Sequence, residues 1–220
     1  MKRWTHRITF ALLAVLAALT LAVGAGPAGA ATSIVLPRAG QVGIGLQAQG
    51  GTLLRSGGLG EEFGMGPGMT VRLKYRMRFE RAIGLTFDVQ QLEARDPSDR
   101  AGAFDFIEVP AGTDPVVREK IKIVTAGIEF YQLFDTRERT VKMLSAGAGL
   151  AQISAKLSNG ETQFPIAGDG AFLSIGAGVE RFAWRSLAWD LSTRYMAIFH
   201  DKKLNHGVQL QLGFIFYAAY

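Results

Sequence analysis

The 220-residue sequence contains no cysteine, only 3 histidines and only 7 prolines. Without cysteine there is no disulfide staple, no thiol nucleophile and no lipid attached through an N-terminal cysteine. Two of the histidines, His200 and His206, fall in one short stretch near the end. They offer no metal-ligand spacing, and no glycine-rich phosphate loop accompanies a predicted strand and helix, so metal, nucleotide and other cofactor sites have no candidate. Beyond the first thirty residues no segment has the 3.6-residue period of an amphipathic helix. No second apolar run reaches the roughly 18 residues of a membrane-spanning helix. The formal net charge is +5, but Lys2, Arg3 and Arg7 sit in a leader, and the remaining excess of about +2 calls for no nucleic-acid partner.

That leader is the first feature present. Met1 to Arg7 is short and basic, Ile8 to Gly24 is an unbroken apolar run, and small residues follow to Ala30. Ala28 and Ala30 form the A-x-A pattern of signal-peptidase cleavage before Ala31. The sequence therefore predicts a cleaved signal peptide over 1–30, a periplasmic segment over 31–40 and a single domain over 41–220.

The domain reads as strands. In His206 to Tyr220, one face is Val208, Leu210, Leu212, Phe214, Phe216, Ala218 and Tyr220, and the other is Gln209, Gln211, Gly213, Ile215, Tyr217 and Ala219. The same period of two predicts strands over 41–49, 69–79, 83–90, 123–131, 144–151, 173–180 and 187–195. Links after the first, third and fifth are long, and those after the second, fourth and sixth are short. Only the link after the seventh is short where the pattern asks for length. Eight strands with alternating short and long connections make the pattern of an all-β, closed, antiparallel, up-and-down transmembrane barrel. Loops around 57–66, 96–114 and 158–169 are expected outside the cell and both termini in the periplasm. Of these, 96–114 is the leading candidate to meet an extracellular ligand.

A soluble barrel or sandwich also alternates, and only the second face separates the two. Gly43, Gly45, Gly84, Gly127, Gly147, Gly149, Gly176, Gly178 and Gly213 lie on it. They have no packing reason in water, but inside a narrow barrel they make room for large neighbours. Those neighbours are Arg72, Lys74, Arg76, Arg78 and Arg194, with Asp88, Glu129, Glu180 and Asp190 as acids. The sequence predicts that these form a charge network in the lumen, with Asp88 opposite Lys74 or Arg72. Phe79, Phe130, Tyr131, Phe134, Phe182, Trp184, Trp189 and Tyr220 crowd the short-turn end and are expected to form an interfacial aromatic belt.

The GAGLA stretch at 147–151, SIGAGVE at 174–180 followed by a turn and WDLSTRY at 189–195, and the terminal strand ending in Tyr220 resemble the small outer-membrane β-barrels of Gram-negative bacteria, the group of the OmpA N-terminal domain, OmpX and OmpW. The resemblance covers 41–220. It implies an outer-membrane location, contact with outer-membrane lipid and lipopolysaccharide, and insertion by the barrel-assembly machinery. That machinery reads a terminal strand such as the one bearing Phe216 and Tyr220. The expected role is non-enzymatic, structural or surface-interacting through the outer loops, with the lumen filled by the charge network. A small-solute channel and a lipid-modifying enzyme remain the alternatives. The lipid A deacylases, similar only in size and architecture, use a His, Ser and Glu set, and neither His200 nor His206 has a serine two residues on.

Overall fold

The computed structural model describes residues 39–56, 58–95, 120–158, 163–200 and 202–218. The expected cleavage site at Ala28, Ala30 and Ala31, the loop over 96–114 and the terminal Tyr220 lie outside these residues.

Eight strands follow in order: β1 (Val42–Leu53), β2 (Met65–Arg78), β3 (Arg81–Glu93), β4 (Lys120–Phe134), β5 (Thr140–Ser158), β6 (Gln163–Phe182), β7 (Leu187–His200) and β8 (Lys203–Tyr217). Each pairs antiparallel with its sequence neighbour. β1 closes on β8 from Gly43 opposite Tyr217 to Leu53 opposite Gly207, so the barrel has no free seam. One four-residue helix, α1 (Leu59–Glu62), interrupts the connection between β1 and β2.

Strand alternation sorts the side chains as a membrane requires. Leu150, Ile175, Phe79 and Ile44 point outward and are 72%, 63%, 60% and 59% exposed, whereas Lys74, Arg76, Glu180 and Asp190 are fully enclosed at 0%. A water-soluble barrel has the opposite arrangement, because exposing a continuous apolar wall forfeits the main driving force of folding. Closure satisfies the backbone in hydrocarbon, where an open edge would strand its N–H and C=O groups.

Several boundaries differ from the expectation. β5 and β6 pair as far as Ser158 opposite Gln163, so most of the stretch expected to be an outer loop is a continuing hairpin. Asp88 lies opposite Thr70, not Lys74 or Arg72, because β2 and β3 are joined through the two residues Phe79 and Glu80 with a register irregularity between Arg76 and Arg78. An even-length turn plus one bulged residue preserves the inward parity of both strands. At the opposite end β7 and β8 meet with His200 facing Lys203. Lys202 there adopts φ 60°, the left-handed conformation a tight link demands.

Candidate functional site

The lumen is the chemically distinctive region, and it is built in three layers. Parity places Arg72, Lys74 and Arg76 of β2, Asp88 of β3, Glu129 of β4, Glu180 of β6, and Asp190 and Arg194 of β7 inside the barrel, all buried. Four cations thus face four carboxylates. Arg194 reaches Asp88 through Nη2 at 2.5 Å and Glu129 through Nη1 at 2.9 Å. Arg72 lies 3.4 Å from Asp190 and 3.7 Å from Glu129, and donates to Gln211 at 2.9 Å. Glu180 accepts from Lys74, from Arg76 at 3.2 Å and from the Tyr217 hydroxyl at 2.8 Å.

Neutral groups complete the belt. The Tyr131 hydroxyl donates to Glu129, and Gln47 donates to Asp190 at 2.5 Å. Asp88 accepts from Thr70 at 2.6 Å and Thr125 at 2.7 Å. Arg76 has no hydrogen-bond partner at Nε or Nη1, but its guanidinium lies 5.3 Å from the Tyr217 ring centre and 5.8 Å from that of Phe182. Ring faces therefore accommodate the charge that oxygens do not reach.

Glycines make the fit. A Cβ at Gly147 would stand 2.7 Å from Glu129 Cγ, and one at Gly43 would stand 2.7 Å from the Tyr217 ring. The space a side chain would fill at these wall positions is occupied by large inward neighbours.

An apolar layer lies on each side of the belt, which the sequence reading missed. Toward the short-turn end, Tyr131, Leu133, Val141, Met143, Phe182, Ala188, Ile215 and Tyr217 pack together inside. Toward the long-connection end, Leu53, Leu92, Ile121, Ile123, Ile153, Phe172, Met196 and Ile198 form a second core, joined by Leu59 of α1 and by Phe63 just after it. Arg95 holds this wedge in place. It donates from Nε to the carbonyls of Gly60 and Phe63, each at 3.1 Å, and from Nη2 to that of Leu53 at 2.5 Å. Asn205 accepts from the Leu59 amide at 2.8 Å. Helix-end carbonyls and amides that would otherwise be orphaned are thereby satisfied. The signal for this layer was present in Ile121 and Ile123, whose parity conflicts with a purely polar interior.

The remaining predicted residues divide. Arg78, expected in the network, is exposed beyond the bulge at the end of β2 and forms no ion pair with the belt among the described residues. Phe216 is exposed on the outer wall near the end of β8. Phe79, Phe130, Phe134, Trp184 and Trp189 do form an outward aromatic girdle, with Trp189 and Phe214 ring centres 3.9 Å apart. Tyr131 and Phe182, expected in that girdle, point into the lumen instead and are 3% and 0% exposed. Their parity is that of Glu129 and Glu180, which a count of aromatics by position overlooks.

No family model matches the sequence, and no curated protein matches it. Solved structures share its fold. Neisserial surface protein A aligns at 17% identity and a TM-score of 0.57, over 80% of this chain and 96% of that one. Ail, the attachment invasion locus protein of Yersinia pestis, solved with the heparin analogue sucrose octasulfate, aligns at 14% identity and 0.51, over 81% and 99%. The outer membrane protein OprG from Pseudomonas aeruginosa aligns at 10% identity and 0.50, over 85% and 100%. At these identities the likeness is one of fold, that of the small outer-membrane barrels. Together with an apolar outer wall around an ionic interior, that fold makes this chain an outer-membrane β-barrel.

Proposed function

We propose that this chain is a non-enzymatic outer-membrane barrel, closed to solutes, that acts through a surface presented at its long-connection end. The observation that supports this reading is the filled interior: a charge-balanced belt between two apolar layers, the outer one wedged by Leu59 and Phe63. A water-filled path needs a continuous polar lining, and dry layers of this kind interrupt it.

The two histidines carry structural contacts. His206 hydrogen-bonds the Tyr195 hydroxyl on the outer wall, and His200 Nδ1 lies 3.2 Å from the Asp169 carbonyl oxygen, tying β7 to the outer part of β6. Both contacts join neighbouring strands, β7 with β8 and β7 with β6. With the short turns on the periplasmic side, the tall β5–β6 hairpin stands on the extracellular side, on a rigid scaffold suited to meeting a partner.

Planar-bilayer recording from the purified full-length mature protein tests the closed state. No steady current is expected. A steady, ion-selective conductance from the unmodified protein would overturn the proposal in favour of a channel.

A further inference from the structure

At the short-turn end, a groove of about 310 Å³ opens on the wall across β2 to β5. Met77, Phe130 and Leu144 line it and are all exposed outward, Ala146 leaves space on its wall, and Arg81 stands at its end. The ladder fixes their order. Arg81 faces Gln132, which faces Leu144, and two residues further into the wall Ile83 faces Phe130, which faces Ala146. A single step inward from Arg81 therefore passes from a charged row to an apolar one.

Arg81 is also directly opposite Arg78 across the β2–β3 pair, and both are exposed. Like charges in that position repel. None of the ion pairs among the described residues includes either arginine, and Glu80 in the turn between them joins none. Two facing guanidinium groups match the non-bridging oxygens of a phosphodiester, which accept paired N–H bonds. Exposed Phe79 next to Arg78 marks this level as the membrane interface.

We propose that this groove is a binding site for a glycerophospholipid with an anionic headgroup. Its phosphate lies between Arg78 and Arg81, and one acyl chain lies along Met77, Phe130 and Leu144. The charge complementarity selects the headgroup and the adjoining apolar groove selects a lipid over a free anion. The inference rests on the barrel being membrane-embedded, and a variant that folds and inserts but loses lipid selectivity separates the two.

The test uses the full-length mature protein in neutral detergent, incubated with equal phosphatidylglycerol and phosphatidylcholine and analysed by native mass spectrometry. Heat-modifiable gel migration verifies that each variant is folded. The unmodified protein is expected to retain phosphatidylglycerol preferentially. Arg81→Gln is expected to weaken that retention about tenfold, the loss of one charged hydrogen-bonding group. Ala146→Trp, which fills the groove and leaves both arginines, is expected to weaken it similarly, while Arg137→Gln in the next short turn leaves it unchanged. Equal retention of the two lipids by the unmodified protein would overturn the proposal. So would full retention by folded Arg81→Gln or Ala146→Trp, or displacement of the lipid by excess inorganic phosphate.

Discussion

Removing Glu129 is the most informative perturbation of the barrel interior. Its carboxylate is 1% exposed, receives Arg194 at 2.9 Å, stands 3.7 Å from Arg72 and accepts from the Tyr131 hydroxyl. In Glu129→Ala the belt keeps its four buried cations with only Asp88, Glu180 and Asp190 to balance them. The Tyr131 hydroxyl also loses its acceptor. A broken buried pair costs about 3–5 kcal/mol, because the charge left behind cannot regain water. Urea unfolding in lipid vesicles measures the loss, followed by fluorescence of Trp184 and Trp189, which sit on the outer wall and report leaving the bilayer. Glu93→Ala serves as the reference, since Glu93 pairs with Lys120 at 3.6 Å with both side chains at least half exposed. That surface pair is worth about 0–1 kcal/mol. Combining Glu129→Ala with Arg194→Met returns the belt to three cations and three carboxylates and is expected to recover part of the loss. A Glu129→Ala cost no larger than that of Glu93→Ala, or no recovery in the double variant, would refute a dry and charge-balanced interior.

Other outcomes follow from packing and from the leader. Gly149→Val is expected to abolish the heat-modifiable folded band, because a Cβ at Gly149 would stand 2.2 Å from the Ala126 carbonyl oxygen; Gly50→Val, at a position with nothing within 4 Å, should fold normally. Mass spectrometry of protein extracted from outer membranes should find an N-terminus near Ala31, and a retained Met1 would refute the cleaved leader.

The strands were legible because lumen and lipid alternate with the same period as the side chains. Val71, Leu73 and Tyr75 against Arg72, Lys74 and Arg76 fix which way each residue points. The limits of that reading are equally physical. Past Ala155 and before Ala171, β5 and β6 continue as a hairpin beyond the ladders with β4 and β7, so no lipid-facing wall enforces an apolar parity. The stretch therefore read as a loop. Register was obscured by a single bulge, which moved Asp88 to Thr70 and left Arg78 outside the belt. The outer plug was hidden because apolar residues on both parities, as around Ile121 and Ile123, weaken alternation where the inside ceases to be polar. Arg95 was illegible for another reason: its three acceptors are backbone carbonyls, which no side-chain pattern reveals.

The distribution of the belt over the strands bears on how such a barrel reaches one register. β2 contributes three of the four cations, and the acids come from β3, β4, β6 and β7. Arg72 meets Glu129 of β4 and Asp190 of β7, Lys74 and Arg76 meet Glu180 of β6, and Arg194 of β7 meets Asp88 of β3 and Glu129 of β4. Every one of these pairs spans the lumen, and none joins neighbouring strands. A hairpin of β2 with β3 or of β6 with β7 therefore gains nothing from them, and an open sheet leaves all eight charges without the partners they have in the closed barrel. A one-residue slip would turn the β2 cations toward lipid, where each is costly, and would bring Leu73 and Tyr75 inside. A two-residue slip keeps the parity but moves each cation along the barrel by about 7 Å, well beyond pairing distance. The buried charges thus add little to the stability of any sheet fragment, yet they penalise every closed register except the one observed. In a fold whose lipid-facing side chains are interchangeable hydrocarbons, discrimination between registers has to come from the interior.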